Sequence, residues 1–585
     1  MNREGAMKRA PEWTRATLGW GVILLVAATG CLMVKGNALT LYQAQSQDAP
    51  VLVLLSLGIC VAALNAPAWR LPASFAPLWA LLAFGFAAGA SLALGAYLVF
   101  GNYPLSRDEH MVLFDMAVYE KRLLAMPLAP FWRPFAGALV PDFLLNERMP
   151  TGLVSGYLPV HALMRLAFSK LADPVWFNPL LALVGGAALL DIAKRTFGAQ
   201  DRACWVVLLL YVLSAQLLVN AMSAFSVTAH MALNLVWLAA FLRGGRSGHA
   251  IAIATGFFAV GLHQLVFHPV FVAPFLLWRL RQGQWRLVLA YAAAYAAIIL
   301  WWAYYPMLPE VQPASAAGLG ETHRNFLTER VLPLLLHRTP GTIGLMVLNL
   351  MRFVAWQNLA LVPLLVAAVP VALRERGLSA ALLLGIVLWL GIVALLLPYQ
   401  GLGWGFRYLS PYLGSFALLG GFGYRALASR IGARADGLVI VLSALTALAA
   451  IPVLIVTTHR FAEPYLRLEE LVLQQRTPFV VIDTEVSNPP DESWAVHPLD
   501  QVRNLPDLSN RPLRFSGNRL NADLIERLCD KGAVTLITRA DMHRIGFEQN
   551  VPERSPWFEK MVRSVAQMRP GCIHAAVTVR PASAS

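Results

Sequence analysis

The stretch from Ala203 to Arg281 decides the fold class of this chain: ACWVVLLLYVLSAQLLVNAMSAFSVTAHMALNLVWLAAFLRGGRSGHAIAIATGFFAVGLHQLVFHPVFVAPFLLWRLR. It holds four apolar runs, near 203–221, 226–242, 249–264 and 266–280, with only short turns between them. Apolar runs of about 17–25 residues cross a bilayer as helices, because a helix satisfies its own backbone hydrogen bonds in lipid. The stretch therefore predicts transmembrane helices joined by short turns.

The composition of the whole chain agrees with this class. Of 585 residues, 57% are hydrophobic and 14% are charged, and the mean hydropathy is +0.57. Soluble domains carry roughly 25% charged residues, so the composition excludes a soluble enzyme, a disordered protein and a nucleic-acid binder. The net charge of +14 does not indicate a polyanion partner, because much of it lies in short loops between apolar runs.

The same pattern continues along the chain and predicts thirteen spans. They lie near 17–34, 51–66, 76–100, 174–194, 203–221, 226–242, 249–264, 266–280, 286–305, 357–373, 379–398, 409–427 and 437–457. The first run is expected to stay as a span, because no small-residue cleavage site of a signal peptide follows it. The predicted fold class is mainly α: a polytopic transmembrane helical bundle with a small C-terminal α/β domain on the outer face.

Lysine and arginine alternate between the two sides of the predicted bundle. The N-terminal tail is basic, and so is every second turn after it, including the turn with Arg243 and Arg246. The turn near 222–225 holds no Lys or Arg, and the turn near 399–408 holds only Arg407. Basic short loops stay in the cytoplasm, so we expect a cytoplasmic N-terminus and an extracytoplasmic C-terminal region.

The spans divide the chain into four predicted parts. They are residues 1–100 (N-terminal tail and three spans), 101–173 (first outer loop with an interfacial or re-entrant segment), 174–457 (transmembrane core with a second outer loop at 306–342) and 458–585 (extracytoplasmic α/β domain). The last part is about 128 residues long, which is enough for a small domain of its own.

The last part alternates short apolar strands with helical patterns. Phe479–Asp483 and Val534–Ile537 are typical of strands, and Asn521–Cys529 is typical of a helix between them. Two cysteines, Cys529 and Cys572, are the only ones outside the predicted membrane region. An oxidising compartment permits a disulfide between them, and two unpaired buried thiols are the alternative.

The first polar group with chemistry to offer is Ser106-Arg107-Asp108-Glu109, just beyond the third span. Adjacent carboxylates at a membrane boundary suit general-base work, because a base near a dry surface has a raised pKa and takes a proton from a hydroxyl acceptor. The alternative is a helix N-terminus, with Ser106 as its cap and both carboxylates facing the helix dipole. The two interpretations are compatible, since a capped helix fixes a carboxylate firmly.

Two histidines mark the turn GLHQLVFHP at 261–269. Polar residues at membrane depth are costly and usually face a cavity, so His263 and His268 are predicted to bind a phosphate or a sugar. The alternative is that they satisfy backbone groups exposed by the break at Pro269.

A glycine-rich turn, GLGWGFRY, occupies 401–408. Its three glycines let the backbone approach a ligand closely, and Arg407 offers a bidentate donor to a phosphate. The alternative is a plain turn whose arginine reaches lipid headgroups.

The second outer loop also carries charged and titratable residues. They are Glu321, His323, Arg324, Arg330, His337 and Arg338. The loop either orders over a bound substrate or holds solvated charge. The sequence contains no Walker loop, no nucleophile elbow and no metal-ligand cluster of recognisable spacing.

Together these places resemble the bacterial relatives of the lipid-dependent GT-C glycosyltransferases. That superfamily includes the protein O-mannosyltransferases and the transferase that adds aminoarabinose to lipid A. The resemblance runs over roughly residues 100–425. It rests on SRDE at 106–109, the stretch Gly152–Met164, NPLL at 178–181 and the run GWGFRY ending at Tyr408.

The resemblance implies roles for the acidic motif. Asp108 matches the residue assigned as the catalytic base, and Glu109 is its neighbour. The motif also allows a divalent cation, Mg²⁺ or Mn²⁺, although the sequence does not demand one.

The resemblance also implies donor-binding residues. Ser155-Gly156-Tyr157-Leu158-Pro159-Val160-His161 resembles a stretch usually written Ser-Lys-Tyr-Pro-Pro-Gly-His, which places Tyr157 and His161 at the donor site. Gly156 stands where relatives have the lysine, so another cation is expected to hold the donor phosphate. Arg407, His263 and His268 are the candidates.

The resemblance implies an inverting transfer of a sugar from a polyprenyl-phosphate-linked donor to a hydroxyl acceptor, which is a glycan, a lipid or a protein. The reaction is expected at the outer face of the bacterial cytoplasmic (inner) membrane, with membrane lipids as further partners. A transporter or flippase of lipid-linked sugars and a non-catalytic envelope-assembly scaffold are the alternatives. Convergence of Asp108, His263 and Arg407 would favour the transferase, and scatter would favour the scaffold.

Overall fold

The computed structural model describes residues 3–34, 39–65, 67–74, 77–139, 152–308, 311, 340–484, 502–546 and 555–576. The described part up to residue 473 is mainly helical. Its helices are α1 (Arg3–Met33), α2 (Leu39–Gln43), α3 (Ala49–Asn65), α4 (Leu78–Phe100), α5 (Arg107–Glu120), α6 (Ala136–Leu139), α7 (Val160–Ser169), α8 (Phe177–Phe197), α9 (Ala203–Val212), α10 (Ala215–Ala221), α11 (Val227–Arg243), α12 (Gly245–Val260), α13 (Phe267–Arg281), α14 (Trp285–Tyr304), α15 (Pro340–Ala355), α16 (Leu361–Glu375), α17 (Leu378–Leu396), α18 (Leu413–Ile431), α19 (Arg434–Leu445) and α20 (Ile451–Leu473). Each of the thirteen predicted apolar runs lies on one or two of these helices.

Among the described residues, six helical segments are long and apolar enough to cross a membrane. They are Leu39–Val61, Leu78–Phe100, Pro174–Phe197, Trp285–Met307, Leu378–Leu396 and Arg434–Leu473. The pair α9 and α10, bent by 50° at its break, is a seventh if it forms one span. The chain is therefore a multi-pass membrane protein, and the number of thirteen spans stays a prediction.

Helix α18 lies at the centre of the bundle, between α16 and α9. Its glycines permit this close packing, as small residues do between transmembrane helices. A Cβ atom on Gly423 would lie 1.8 Å from the carbonyl oxygen of Leu364 in α16, so no larger residue fits there.

The bundle has two faces, which the ends of α8 define. At its N-terminal end the Asn178 amide donates to the carbonyl oxygens of Ser223 and Phe225, at 2.6 and 2.9 Å. We call this side the Asp108 face, because α5 begins there. Helix α8 has 21 residues and so ends about 30 Å away, on the opposite face. There Arg202 and Arg425 meet Asp436 and Asp201, so basic turns gather on one side, as the alternation of charge predicts.

The helix α20 continues beyond the predicted end of the membrane core. With α19 and a π-helical turn at Thr446–Ala450 it forms one helical stretch, Arg434–Leu473. Its later turns bury Phe461 and Leu468. The boundary predicted between 457 and 458 therefore lies inside a helix, because the apolar face continues after the composition becomes more polar.

A parallel four-stranded sheet follows α20. Its strands are β3 (Phe479–Ile482), β4 (Leu513–Ser516), β5 (Val534–Ile537) and β6 (Ile573–Ala575), and the order across the sheet is β4-β3-β5-β6. Helices α21 (Ala522–Cys529), α22 (Arg539–Arg544) and α23 (Pro556–Met568) connect them. Both predicted strands and the predicted helix are present. Cys529 and Cys572 form a disulfide, which decides between the two alternatives for them.

The sheet shares its hydrophobic core with the first outer loop. That loop contains α5, a two-stranded pairing of β1 (Met126–Pro127) with β2 (Gly152–Leu153), and α6. Trp132 and Phe135 of the loop contact Phe515 of β4, with ring centroids 6.2 and 5.8 Å apart. The predicted C-terminal domain therefore does not bury a core by itself, and its apolar strands are half of a joint layer on the Asp108 face.

Candidate active site

The acidic motif begins α5, and its two carboxylates point to different places. Ser106 caps the helix: its Oγ accepts a hydrogen bond from the Glu109 N–H at 3.2 Å, and Glu109 Oε2 accepts one from the Ser106 N–H at 2.9 Å. Glu109 Oε1 accepts a third from the N–H of Ala224 at 3.2 Å. This is a capping box, so the predicted helix N-terminus is present, and Glu109 ties it to the loop between α10 and α11.

Asp108 faces a separate group of side chains. Its two carboxylate oxygens accept hydrogen bonds from the Tyr157 hydroxyl and from the Arg407 guanidinium. The His263 ring lies against the Tyr157 ring, with centroids 4.1 Å apart. We call these four residues the Asp108 cluster. Segments distant in sequence therefore meet at one point of the Asp108 face, and Asp108, His263 and Arg407 converge there and are not scattered.

The charges in the Asp108 cluster set the protonation of its members. Burial raises the pKa of Asp108, but the charge of Arg407 and the hydrogen bonds from Tyr157 and Arg407 outweigh burial and hold the pKa below its ordinary value. Burial lowers the pKa of His263 to about 4, so its ring is neutral at neutral pH. Asp108 is therefore a carboxylate in the free protein.

The raised pKa that the sequence predicted for the base belongs to the neighbouring residue. Burial raises the pKa of Glu109 to about 7, against the hydrogen bonds that it accepts. For Asp108 in the free protein that prediction is wrong, because its partner cation lies 299 residues away in sequence and local sequence does not show it.

The glycine-rich turn shapes the position of Arg407. A Cβ atom on Gly403 would lie 2.8 Å from the Arg407 Cδ, so the arginine side chain folds directly over that glycine. Gly405 has a φ of +64° and approaches Gln216 so closely that a Cβ atom would lie 2.5 Å from its Oε1. The glycines therefore serve the packing of the protein's own side chains. The Arg407 Nε is buried without a hydrogen-bond partner in the structure, so the guanidinium keeps one N–H to offer.

Buried polar residues from the membrane helices hold this turn in place. The Gln216 amide donates to the carbonyl oxygen of Phe406 at 2.8 Å, and the Asn220 amide donates to that of Trp404 at 3.3 Å. Arg352 is wholly buried and donates to the carbonyl oxygen of Gly403 at 2.9 Å.

The guanidinium of Arg352 is paired in turn with Asp48, at 3.1 Å. Asp48 lies in a π-helical turn, Ala44–Asp48, that joins α2 to α3. These supporting residues lie outside the predicted site, because the predicted spans are defined by apolar content alone. The sequence does indicate them, because they are polar residues inside predicted spans or next to them.

Two other histidines predicted at the donor site lie outside the Asp108 cluster. His268 is wholly buried, with its ring nitrogens 2.7 Å from Asn234 Oδ1 and 2.8 Å from the Tyr295 hydroxyl. His161 Nε2 lies 3.2 Å from the carbonyl oxygen of Ala224. The structure therefore brings Tyr157, His263 and Arg407 to Asp108, and it leaves His161 and His268 as buried partners of other polar groups.

The acidic motif does not have the geometry of a cation site by itself. The Asp108 carboxylate is engaged by Tyr157 and Arg407, and the Glu109 carboxylate by Ser106 and Ala224. Within the described ranges, no group of three His, Cys, Asp or Glu side chains converges as metal ligands. A Mg²⁺ or Mn²⁺ ion at this motif stays a prediction.

The second outer loop is almost wholly outside the described residues. The structure describes 306–308, 311 and 340–342 of it, so the charged residues from Glu321 to Arg338 lie outside the described part of the chain.

The fold and the cluster define a multi-pass membrane protein with an ion-paired carboxylate at one membrane face. The crystal structure of ArnT from Cupriavidus metallidurans bound to undecaprenyl phosphate matches it with a TM-score of 0.49 and 11% identity, over 73% of this chain and 85% of that chain. The apo crystal structure of the same protein matches with a TM-score of 0.46 and 12% identity, over 83% and 91%.

A third match is the crystal structure of the Archaeoglobus fulgidus oligosaccharyltransferase in complex with zinc and sulfate, with a TM-score of 0.36 and 13% identity, over 66% of this chain and 55% of that chain. No family model and no curated protein matches the sequence. Because the identities are so low and the TM-scores lie below 0.5, the activity is inferred from the residues of this chain.

Proposed function

We propose that this chain is an inverting glycosyltransferase of the GT-C kind. It transfers a sugar from a polyprenyl-phosphate-linked donor to a hydroxyl group of a glycan, a lipid or a protein at the outer face of the bacterial cytoplasmic membrane. The observation that carries the proposal is the Asp108 cluster, in which a partly buried carboxylate and a guanidinium with an unused N–H meet at the end of apolar helices.

Arg407 is the phosphate clamp in this proposal. A guanidinium binds phosphate oxygens through two parallel N–H bonds, and the Arg407 Nε has no hydrogen-bond partner in the structure. In the free protein Asp108 holds the other side of the guanidinium. We expect the donor phosphate to replace Asp108 as the partner of Arg407.

Asp108 is the general base. When Arg407 turns to the phosphate, the effect that held the pKa of Asp108 down is weakened, while burial continues to raise it. Asp108 then becomes a stronger base at the moment when both substrates are bound. Tyr157, which donates to the same carboxylate, and His263, which lies against Tyr157, keep its orientation.

The transfer is a single displacement. Asp108 takes the proton of the acceptor hydroxyl, whose oxygen forms a bond to the anomeric carbon. The bond from that carbon to the phosphate oxygen breaks, and its electron pair leaves with polyprenyl phosphate. Arg407 stabilises the negative charge that develops on the leaving group, and no general acid is needed because the leaving group is already a phosphate.

Convergence of Asp108, His263 and Arg407 supports the transferase over the scaffold. The alternative of a flippase predicts ionisable groups near the membrane midplane on the path of the sugar. Arg352 and Asp48 are buried ionisable groups, but they bind each other and the backbone of Gly403. They support the position of Arg407, which favours the transferase.

The test is reconstitution of the full chain in proteoliposomes with a labelled polyprenyl-phosphate sugar and crude envelope lipids as the source of acceptor. Release of polyprenyl phosphate above that of protein-free liposomes, with an inverted anomeric carbon in the product, is the expected result. Movement of the intact donor across the bilayer without release would indicate the flippase, and neither release nor movement across several donors would indicate the scaffold.

A further inference from the structure

A second polar site lies on the Asp108 face, next to the Asp108 cluster but separate from it. It is a cavity of about 110 Å³ between the end of α4 and the loop between α10 and α11. Glu109 and Arg165 line it, together with Ala96 and Met222. Asp108, one residue before Glu109, does not line it, because successive side chains on a helix point about 100° apart.

Arg165 is the unusual residue of this cavity. It lies on α7 and is 5% exposed. Its Nε and Nη1 atoms have no hydrogen-bond partner in the structure, and its guanidinium forms no ion pair with a carboxylate of the described residues. A buried charge is costly unless it is paired. The charges of Glu109 and Asp173 act on this guanidinium, but neither carboxylate is hydrogen-bonded to it. A guanidinium left without hydrogen-bond partners at a cavity therefore indicates a ligand that supplies acceptor oxygens.

Glu109 defines which oxyanion fits. Its carboxylate already accepts hydrogen bonds from Ser106 and from the N–H of Ala224, and it also borders the cavity. Burial raises the pKa of Glu109 to about 7, and the second pKa of a phosphate monoester is about 6, so near neutral pH the two groups share one proton. That proton bridges Glu109 and the ligand, while the other phosphate oxygens accept from Arg165. Sulfate brings no proton of its own, so the ionised carboxylate of Glu109 repels it.

We propose that the cavity between Arg165 and Glu109 binds a phosphate monoester group. The group belongs either to a lipid monophosphate, which enters from the membrane beside α4, or to free phosphate. Both sources offer the same chemistry to the two residues. The proposal concerns binding and does not depend on the sugar transfer proposed above.

The experiment uses the full chain in detergent and measures the binding of radiolabelled inorganic phosphate by equilibrium dialysis. The Arg407→Gln background keeps the Asp108 cluster from contributing a second phosphate site. In that background Arg165→Gln removes the guanidinium that is proposed to donate hydrogen bonds to the phosphate. Ala96→Leu fills the cavity but keeps the arginine. Arg246→Gln, in the first turn of α12, is the matched control.

Saturable phosphate binding is expected in the Arg407→Gln background. It should weaken at least about tenfold in Arg165→Gln, which removes the charge-assisted hydrogen bonds, and by as much in Ala96→Leu, which fills the space that the phosphate occupies. Arg246→Gln should bind as the background does. At about pH 8, where Glu109 with its pKa of about 7 is ionised, sulfate should compete at least about tenfold less well than inorganic phosphate, because only the phosphate still has a proton to donate to Glu109. If Arg165→Gln fails to fold in a thermal-unfolding control, the Ala96→Leu variant decides.

A short-chain lipid monophosphate then identifies the source. Competition by the lipid at a much lower concentration than inorganic phosphate supports a lipid headgroup, and equal competition by both supports free phosphate. Binding that is unchanged in both cavity variants, or the absence of saturable phosphate binding at millimolar concentrations, overturns the proposal.

Discussion

Replacing Arg407 with Gln tests how the Asp108 cluster works. The substitution removes the cation from a pair whose side chains are 17% and 16% exposed. Breaking a buried ion pair by removing one partner costs about 3–5 kcal/mol, and we expect the lower end of that range because both side chains keep some contact with solvent. Sugar transfer should fall about 10²–10³-fold, as it does when one donor to a developing oxyanion is lost.

The pH dependence of the Arg407→Gln variant shows in which direction Arg407 shifts the pKa of Asp108. Arg407 lowers the pKa of Asp108 in the folded protein. The ion pair therefore stabilises the fold fully above the ordinary Asp pKa of about 3.9. This stabilisation is lost as the pH falls through the lowered pKa of the folded protein. Without Arg407, burial raises the pKa. The residual activity should therefore fall away on the acid side at a higher pH than in the wild type.

The assays are release of polyprenyl phosphate as a function of pH and thermal unfolding in detergent. Arg425→Gln is the matched control, because Arg425 pairs with Asp201 on the opposite face with 53% of its side chain exposed. That exposed pair should contribute no more than about 1 kcal/mol. An acid limb that stays in place or moves to lower pH in Arg407→Gln, or equal stability losses in the two variants, would refute this reasoning.

Three further predictions follow from the packing and from the motif. Phe135→Ala should destabilise the layer shared by the first outer loop and the sheet by about 3–5 kcal/mol in thermal unfolding, because Phe135 is wholly buried, whereas Trp557→Ala should have a small effect because Trp557 is 44% exposed. Gly405→Ala should lower sugar transfer far more than Gly401→Ala. Both glycines have positive φ, so backbone strain is similar in the two variants. A Cβ atom at position 405 would lie 2.5 Å from Gln216, whereas one at position 401 would lie 3.8 Å from its nearest neighbour. Chelation with EDTA should leave transfer unchanged if Asp108 and Arg407 suffice, and loss that Mg²⁺ or Mn²⁺ restores would establish a cation at the acidic motif.

Hydrophobic runs predicted the helices of this chain well. Each predicted span coincides with helix in the structure, because a run of apolar residues has to satisfy its backbone internally in lipid. Local capping chemistry was equally readable, since Ser106 caps the helix as predicted, and Glu109, three residues later, completes a capping box with it. Features of this kind depend on neighbours in sequence.

The candidate site was predictable only in part, because its geometry depends on long-range contacts. Asp108 and Arg407 were selected separately, each for its chemistry beside a predicted span. Their direct pairing, which reverses the expected pKa shift of Asp108, depends on two segments that are 299 residues apart. His268 was selected by the same reasoning, but it packs with Asn234 and Tyr295 inside the bundle. A turn sequence does not show which of its polar residues face the cavity.

The C-terminal region after residue 473 was also predictable only in part, again because of contacts between distant segments. Its alternating strands and helix were visible in sequence, but the partner of its apolar surface was not. Phe515 packs against Trp132 and Phe135, residues that are almost 400 positions earlier. The joint core therefore has no signature in either segment alone.

Turnover of the Asp108→Asn variant tests the central claim most directly. Asn keeps the size of the side chain but does not take the proton of the acceptor hydroxyl. The proposed mechanism predicts a loss of polyprenyl-phosphate release of about 10²–10⁴-fold. In the control, Asp191→Asn, release should stay at the wild-type level, because Asp191 pairs with Arg195 on the exposed surface of α8. Release by folded Asp108→Asn protein at the rate of Asp191→Asn would contradict the assignment of Asp108 as the base.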